Sequence, residues 1–336
     1  MAPEEYLRGV GYAAAGGVPY PRADPADHDL LPPDTWAMAQ VPAGVHLVVS
    51  GDAPRVTITC RTTTADLGYR GQAAGTTIAT WRGDVHVDEA PVTLGEHEIT
   101  VAGPGGGTAR IYLPEGMRPE VLDIVGVGGS IEPAPRGPRW ICYGDSITEG
   151  WGASGPATSW AATVARELDA DVLNMGYAGS ARGEAVSARH VASRRGDLVT
   201  LAFGTNCWSQ TPHSADELSG VARSFIDTVR AADPDVPILV VSPVVRPDAE
   251  TTPNAKGATL ADLRASVEDA ARGADVTLLE GGDLITSDQL ADGIHPNDDG
   301  HRVLADHIGA WASGVLAPHQ AGNGVADRRR TVGPAG

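Results

Sequence analysis

The chain is poor in positive charge. Its 336 residues carry 25 Lys and Arg against 43 Asp and Glu, for a net charge of −18 and a pI near 4.8. Phosphate backbones are bound by basic surface, so no nucleic-acid partner is expected. Cysteine is also scarce: Cys60, Cys142 and Cys207 lack metal-ligand spacing, and three thiols leave one unpaired if a disulfide forms. Each reads as a buried packing residue. No apolar run approaches the roughly 20 residues of a membrane span, and the acidic start Met1-Ala2-Pro3-Glu4-Glu5 does not resemble a secretory leader. The expectation is a cytoplasmic protein with no membrane partner.

With 42% hydrophobic residues the chain can bury one large core or two medium ones, and its patterning divides near residue 135. Before that point come short alternating or β-branched runs at 45–50, 55–62, 77–82, 97–101, 109–113 and 121–127. Turn residues separate them, most plainly Gly103-Pro104-Gly105-Gly106-Gly107, and no long helical period intervenes. This predicts an all-β sandwich or jelly-roll domain over 1–135, with an N-terminal extension. The glycine run is not a phosphate loop, because no lysine-bearing helix follows it; it reads as a hairpin connection. A proline-rich linker, Pro133-Ala134-Pro135-Arg136-Gly137-Pro138, closes the segment.

Beyond the linker, apolar runs at 140–143, 172–173, 198–203, 238–241 and 276–279 alternate with helical periods at 159–168, 215–232, 260–272 and 297–316. That alternation predicts an α/β domain over 136–318, a parallel sheet with helices on both faces in three α/β/α layers. The remainder, 319–336, is polar and glycine-bearing with Arg328-Arg329-Arg330, and is expected to be a disordered tail.

The chemistry concentrates in two places. Gly144-Asp145-Ser146-Ile147-Thr148-Glu149-Gly150 follows the first apolar run of the second domain, and Asp292-Gly293-Ile294-His295-Pro296-Asn297 lies far downstream. A serine hydroxyl attacks an ester carbonyl when an imidazole takes its proton, and the imidazole needs a carboxylate to fix its tautomer. An Asp three residues before a His can meet Nδ1 and leave Nε2 free. Ser146, His295 and Asp292 therefore read as nucleophile, base and orienting acid. The serine lies in the domain's first strand-end turn and the acid just before the histidine, unlike the Gly-x-Ser-x-Gly elbow of α/β-hydrolases.

Two further blocks, Asn174-Met175-Gly176-Tyr177-Ala178-Gly179 and Gly204-Thr205-Asn206, fall between these in order. The four blocks together resemble the signature blocks of the SGNH hydrolases, also called the GDSL esterase and lipase family. That resemblance implies an oxyanion hole made by the backbone N–H of Ser146, the backbone N–H of Gly176 and the side-chain amide of Asn206. Each such donor is worth roughly 3 to 4 kcal/mol of barrier. No metal or cofactor is invoked. His301 and His307, six apart, do not share a helix face and read as surface or packing residues.

Arg182, Trp208 and Arg246 follow these blocks or the fourth strand and are the candidates for substrate binding. An indole can stack on a sugar or aromatic acyl group, and a guanidinium can hold a carboxylate or phosphate. The leading expectation is hydrolysis of small acyl esters on a carbohydrate or small natural product. The alternatives are acyl transfer from acyl-CoA or another thioester to a natural-product hydroxyl, and a non-catalytic carbohydrate-binding protein. A β-sandwich ahead of the catalytic domain is similar to the arrangement in second-family carbohydrate esterases and in a tetracycline-pathway acyltransferase. That likeness carries no motif residues.

Overall fold

The computed structural model describes residues 2–65 and 75–326, with residues 318–326 described by backbone alone. Nine strands precede the linker's end: β1 (Leu7–Arg8), β2 (His46–Gly51), β3 (Arg55–Thr62), β4 (Thr77–Arg82), β5 (Val85–Pro91), β6 (Gly95–Ala102), β7 (Gly107–Tyr112), β8 (Pro119–Val127) and β9 (Ile131–Pro133). Among the described residues they form two antiparallel sheets, one ordered β1-β2-β7-β4-β5 with β9 also on β2, the other β6-β3-β8. Alternation explains the pairing: β3 buries every second residue, and Val56, Ile58 and Cys60 meet Leu47, Val49, Ile78 and Ile111 in one core.

A short helix, α1 (Pro33–Ala39), lies between β1 and β2. Its surroundings depart from the expected layout. The segment before β2 does not pack only on the β-rich region, because Ala23, Leu31 and Ala39 lie in the same cluster as Ile141, Tyr143, Leu173 and Met175 of the later strands. Gly9 also donates its N–H to Asp171 Oδ1 at 2.9 Å. The extension is thus shared between the two regions.

The later strands are β10 (Arg139–Gly144), β11 (Asp171–Gly176), β12 (Leu198–Ala202), β13 (Ile238–Val241) and β14 (Thr277–Leu279), parallel in the order β11-β10-β12-β13-β14. The helices are α2 (Ser146–Glu149), α3 (Trp160–Glu167), α4 (Ala185–Ser193), α5 (Asn206–Ser209), α6 (Ala215–Ala232), α7 (Leu260–Arg272) and α8 (Asp298–Ala326). Successive residues of β10 feed opposite cores. Ile141 and Tyr143 meet Phe225 and Val267 on the α6–α7 side, whereas Trp140 and Cys142 meet Trp160 and Leu304 on the α3–α8 side. This two-sided burial is why the strands read as unbroken apolar runs. Side-chain caps set helix starts: Ser159 accepts from Ala162 N–H ahead of α3, and Ser214 with Glu217 forms a capping box ahead of α6. The last helix continues beyond residue 318 to Ala326, and the final part of the expected tail, 327–336, lies outside the described residues.

Candidate active site

Register brings the blocks together. Gly144 at the end of β10 pairs with Gly176 on one side and with Ala202 on the other, so the loops leaving β10, β11 and β12 emerge side by side. Ligand sites in open parallel sheets lie beyond such carboxyl ends. Ser146 opens α2, a single turn capped by Asp145, whose carboxylate accepts the Ile147 N–H at 3.0 Å. One turn has little macrodipole, so the field at Ser146 comes mainly from nearby N–H groups.

The second half of the arrangement comes from the loop between β14 and α8. Asp292 Oδ1 accepts the N–H groups of Ile294 at 3.0 Å and His295 at 2.8 Å, which curls the chain back on the carboxylate. Asp292 Oδ2 lies 2.7 Å from His295 Nδ1, and His295 Nε2 lies 2.8 Å from Ser146 Oγ. Partial burial pushes the Asp292 carboxyl up, but the bonds from the His295 ring and the two backbone N–H groups outweigh it and hold the pKa below the ordinary value. The Ala291 N–H closes the loop on the His295 carbonyl at 2.7 Å. Trp151 lies against the imidazole, with ring centroids 5.2 Å apart. The imidazole is therefore held from three sides.

The expected anion-stabilising donors divide. Ser146 N–H has no hydrogen-bond acceptor among the described residues, which leaves it available. Asn206, which begins α5 and is 6% exposed, gives one amide hydrogen to the Ala181 carbonyl at 3.2 Å and keeps the other. Gly176 is a correction: its N–H donates to Asn174 Oδ1 at 2.9 Å and is not available. A Cβ there would stand 2.3 Å from the Glu149 backbone nitrogen, so this glycine serves the close approach of β11 to α2. Gly179, three residues on, has φ +68°, open space where a Cβ would be, and an N–H without an acceptor among the described residues. Asn174, two residues before the end of β11, is the sequence signal that distinguishes them, because an asparagine side chain can capture the N–H two residues ahead.

The three candidates for substrate binding are each engaged by the protein. Arg182 pairs with Asp34 and lies 4.0 Å from Glu184. Trp208 donates its indole N–H to the Thr252 carbonyl at 2.8 Å, and Arg246 stacks over its ring at 4.8 Å while holding Asp248 at 2.9 Å.

His301 is fully buried, its ring nitrogens 3.3 Å from Trp160 N and 2.9 Å from the Trp151 carbonyl. It braces the loop that lies on His295. The three cysteines are buried; burial pushes the Cys60 and Cys207 thiols up to about 12 and that of Cys142 well above its ordinary value. Among the described residues there is no group of three or more His, Cys, Asp or Glu placed to hold a metal, and no helix long and apolar enough to cross a membrane.

The parallel sheet, its covering helices and the loops at its carboxyl edge define an SGNH fold joined to a β-rich N-terminal region. Residues 142–303 match the GDSL-like Lipase/Acylhydrolase family. A GDSL-like lipase from Bacteroides ovatus ATCC 8483 superposes with a TM-score of 0.77 at 19% identity, over 94% of this chain and 96% of that one. Salicylyl-acyltransferase SsfX3 from a tetracycline biosynthetic pathway gives 0.75 at 24%, over 92% and 95%. A family two carbohydrate esterase from Clostridium thermocellum gives 0.60 at 17%, over 81% and 92%. No curated protein matches the chain in sequence. At these identities the likeness is one of fold, and it extends across both regions.

Proposed function

We propose that the protein is a serine-dependent carboxylic-ester hydrolase acting on small acyl esters of a carbohydrate or small natural product. The observation that carries this reading is the unbroken contact series from Asp292 Oδ2 through both nitrogens of His295 to Ser146 Oγ. Ser146 Oγ attacks the carbonyl carbon while its proton passes to His295 Nε2. The oxyanion rests on the N–H of Ser146, the free amide hydrogen of Asn206 and the N–H of Gly179, which takes the place expected for Gly176. His295 then protonates the departing alkoxide as the ester C–O bond breaks, leaving an acyl-serine. Water gives a proton to His295, attacks the acyl carbon and releases the acid, and Ser146 recovers its proton. Asp292 stays ionised throughout and balances the imidazolium.

A second reading replaces water with an acceptor hydroxyl and the alkoxide with a thiolate, so that acyl-CoA or another thioester donates the acyl group. The nearly full-length likeness to a salicylyl-acyltransferase favours it. The third possibility, a carbohydrate-binding protein without catalysis, has no use for a histidine held on a serine hydroxyl. Turnover of p-nitrophenyl acetate that disappears in Ser146→Ala is the expected result, and no turnover of any short-chain ester or thioester would overturn the enzymatic readings. With an acyl thioester and candidate alcohols supplied together, hydrolysis predicts free acid as the main product. Ester formed faster than acid would establish transfer instead.

A further inference from the structure

Arg22 and Glu149 form an ion pair 3.6 Å apart, with both side chains completely buried behind the candidate oxyanion loop. Arg22 comes from the segment before β2, and Glu149 ends the turn that begins with Ser146. The guanidinium donates to the carbonyls of Val41 at 2.5 Å, Met38 at 2.7 Å, Asn174 at 3.1 Å and Gly176. Glu149 Oε2 accepts the Ala178 N–H at 2.8 Å. Asn174 adds a third tie, its amide donating to the Thr148 carbonyl at 2.8 Å. The carbonyl of Gly176 and the N–H of Ala178 are therefore gripped by opposite members of one pair, immediately before Gly179.

Burying an ion pair is weak evidence for stability, because desolvation consumes most of the attraction. What this pair does supply is geometry: a rigid planar fork on one side of the turn and a carboxylate on the other. We propose that Arg22 and Glu149 are a positioning pair that fixes the turn carrying the Gly179 N–H, and that the segment before β2 is thereby a working part of the catalytic apparatus. This rests on the serine-esterase reading of Ser146. A donor displaced by about 1 Å from the site of a developing anion costs on the order of 10²-fold in rate.

The test compares the full-length wild type with Glu149→Gln and with the paired apolar replacement Arg22→Met/Glu149→Met, which leaves no unmatched buried charge if the single variant does not fold. Turnover of p-nitrophenyl acetate is normalised to folded protein, and inhibition by a phenylboronic acid, which forms a tetrahedral adduct with an active serine, is measured alongside. Expected are a fall in kcat on the order of 10²-fold, KM within about twofold, and a loss of boronate affinity parallel to the loss in kcat/KM. Unchanged kcat and boronate affinity in either folded variant, whatever the melting temperature, would overturn the proposal. Failure of the parent reading has a different signature, since Ser146→Ala would then keep wild-type turnover.

Discussion

Nε2 of His295 stands 2.8 Å from Ser146 Oγ although the two residues are 149 positions apart in the chain. Groups coupled in one proton path lose function together rather than in parts. Ser146→Ala and His295→Ala are each expected to lower kcat by on the order of 10⁶-fold, and the double variant no further. Asp292→Asn keeps the loop but offers the wrong hydrogen-bond partner to the ring, for a loss on the order of 10⁴-fold. Steady-state kinetics on all four proteins, with circular dichroism as the control for folding, checks this. Losses that multiply in the double variant would show that the two residues act independently.

Much of this arrangement was legible because the signals were local. The apolar runs of β10, β12 and β13 and the capped periods of α6 and α7 carry their own patterns, and the Asp292–His295 spacing fits one turn. What was hidden depended on distant partners. β5 exposes most of its residues, so it has no clean alternation to read. The extension before β2 looked like a preface to the β-rich region because nothing in its own sequence says that Arg22 ends beneath β11. The choice between Gly176 and Gly179 likewise turns on where the Asn174 side chain points. The four blocks named the loops of the site; packing decided which atom in each is free.

The two glycines are expected to respond to alanine in different ways. At Gly176 a Cβ would stand 2.3 Å from the backbone nitrogen of Glu149, which cannot move without breaking the approach of α2 to β11. Gly176→Ala should cost about 3 kcal/mol or more, as overpacking against rigid backbone does at its upper end. At Gly179 no heavy atom lies within 4 Å of the added carbon, and the cost is that of φ +68° for a residue with a side chain. That cost is about 1 to 2 kcal/mol. Thermal unfolding of both variants checks the order, and equal melting temperatures would contradict it.

Asn206 offers a separable test of the anion site because its amide is neutral and fixed at one end by the Ala181 carbonyl. Asn206→Ala is expected to lower kcat on the order of 10² to 10³-fold while KM moves little, since the lost bond matters only once the carbonyl oxygen carries charge. A rise in KM with kcat intact would instead make Asn206 a ground-state binding group.

Two buried groups that titrate over the same acidic range should leave opposite marks on stability. Asp145 is 4% exposed and borders a cavity of about 30 Å³ lined by Ile147, Trp160, Phe203 and Val241. Burial pushes its carboxyl from 3.8 up to about 6, with the backbone N–H groups of Ile147 and Thr148 offsetting part of the rise. His46 is 3% exposed, and burial pushes its imidazole from 6.5 down to about 4 despite the Gly44 carbonyl at 2.9 Å. A raised folded-state pKa stabilises fully below the unfolded value, so the Asp145 contribution is present under pH 3.8 and lost as pH rises through 6. A lowered one works the other way: the His46 contribution is present above pH 6.5 and lost as pH falls through 4. Each is worth about 3 kcal/mol across its window, so in the wild type the two slopes nearly cancel. Asp145→Asn should therefore gain stability relative to the wild type as pH rises from 4 to 6.5, and His46→Gln should lose it over the same range. Urea unfolding of the three proteins at both ends of that range measures the difference directly, and a variant whose curve runs parallel to the wild type would clear that residue of any titration between the two pH values.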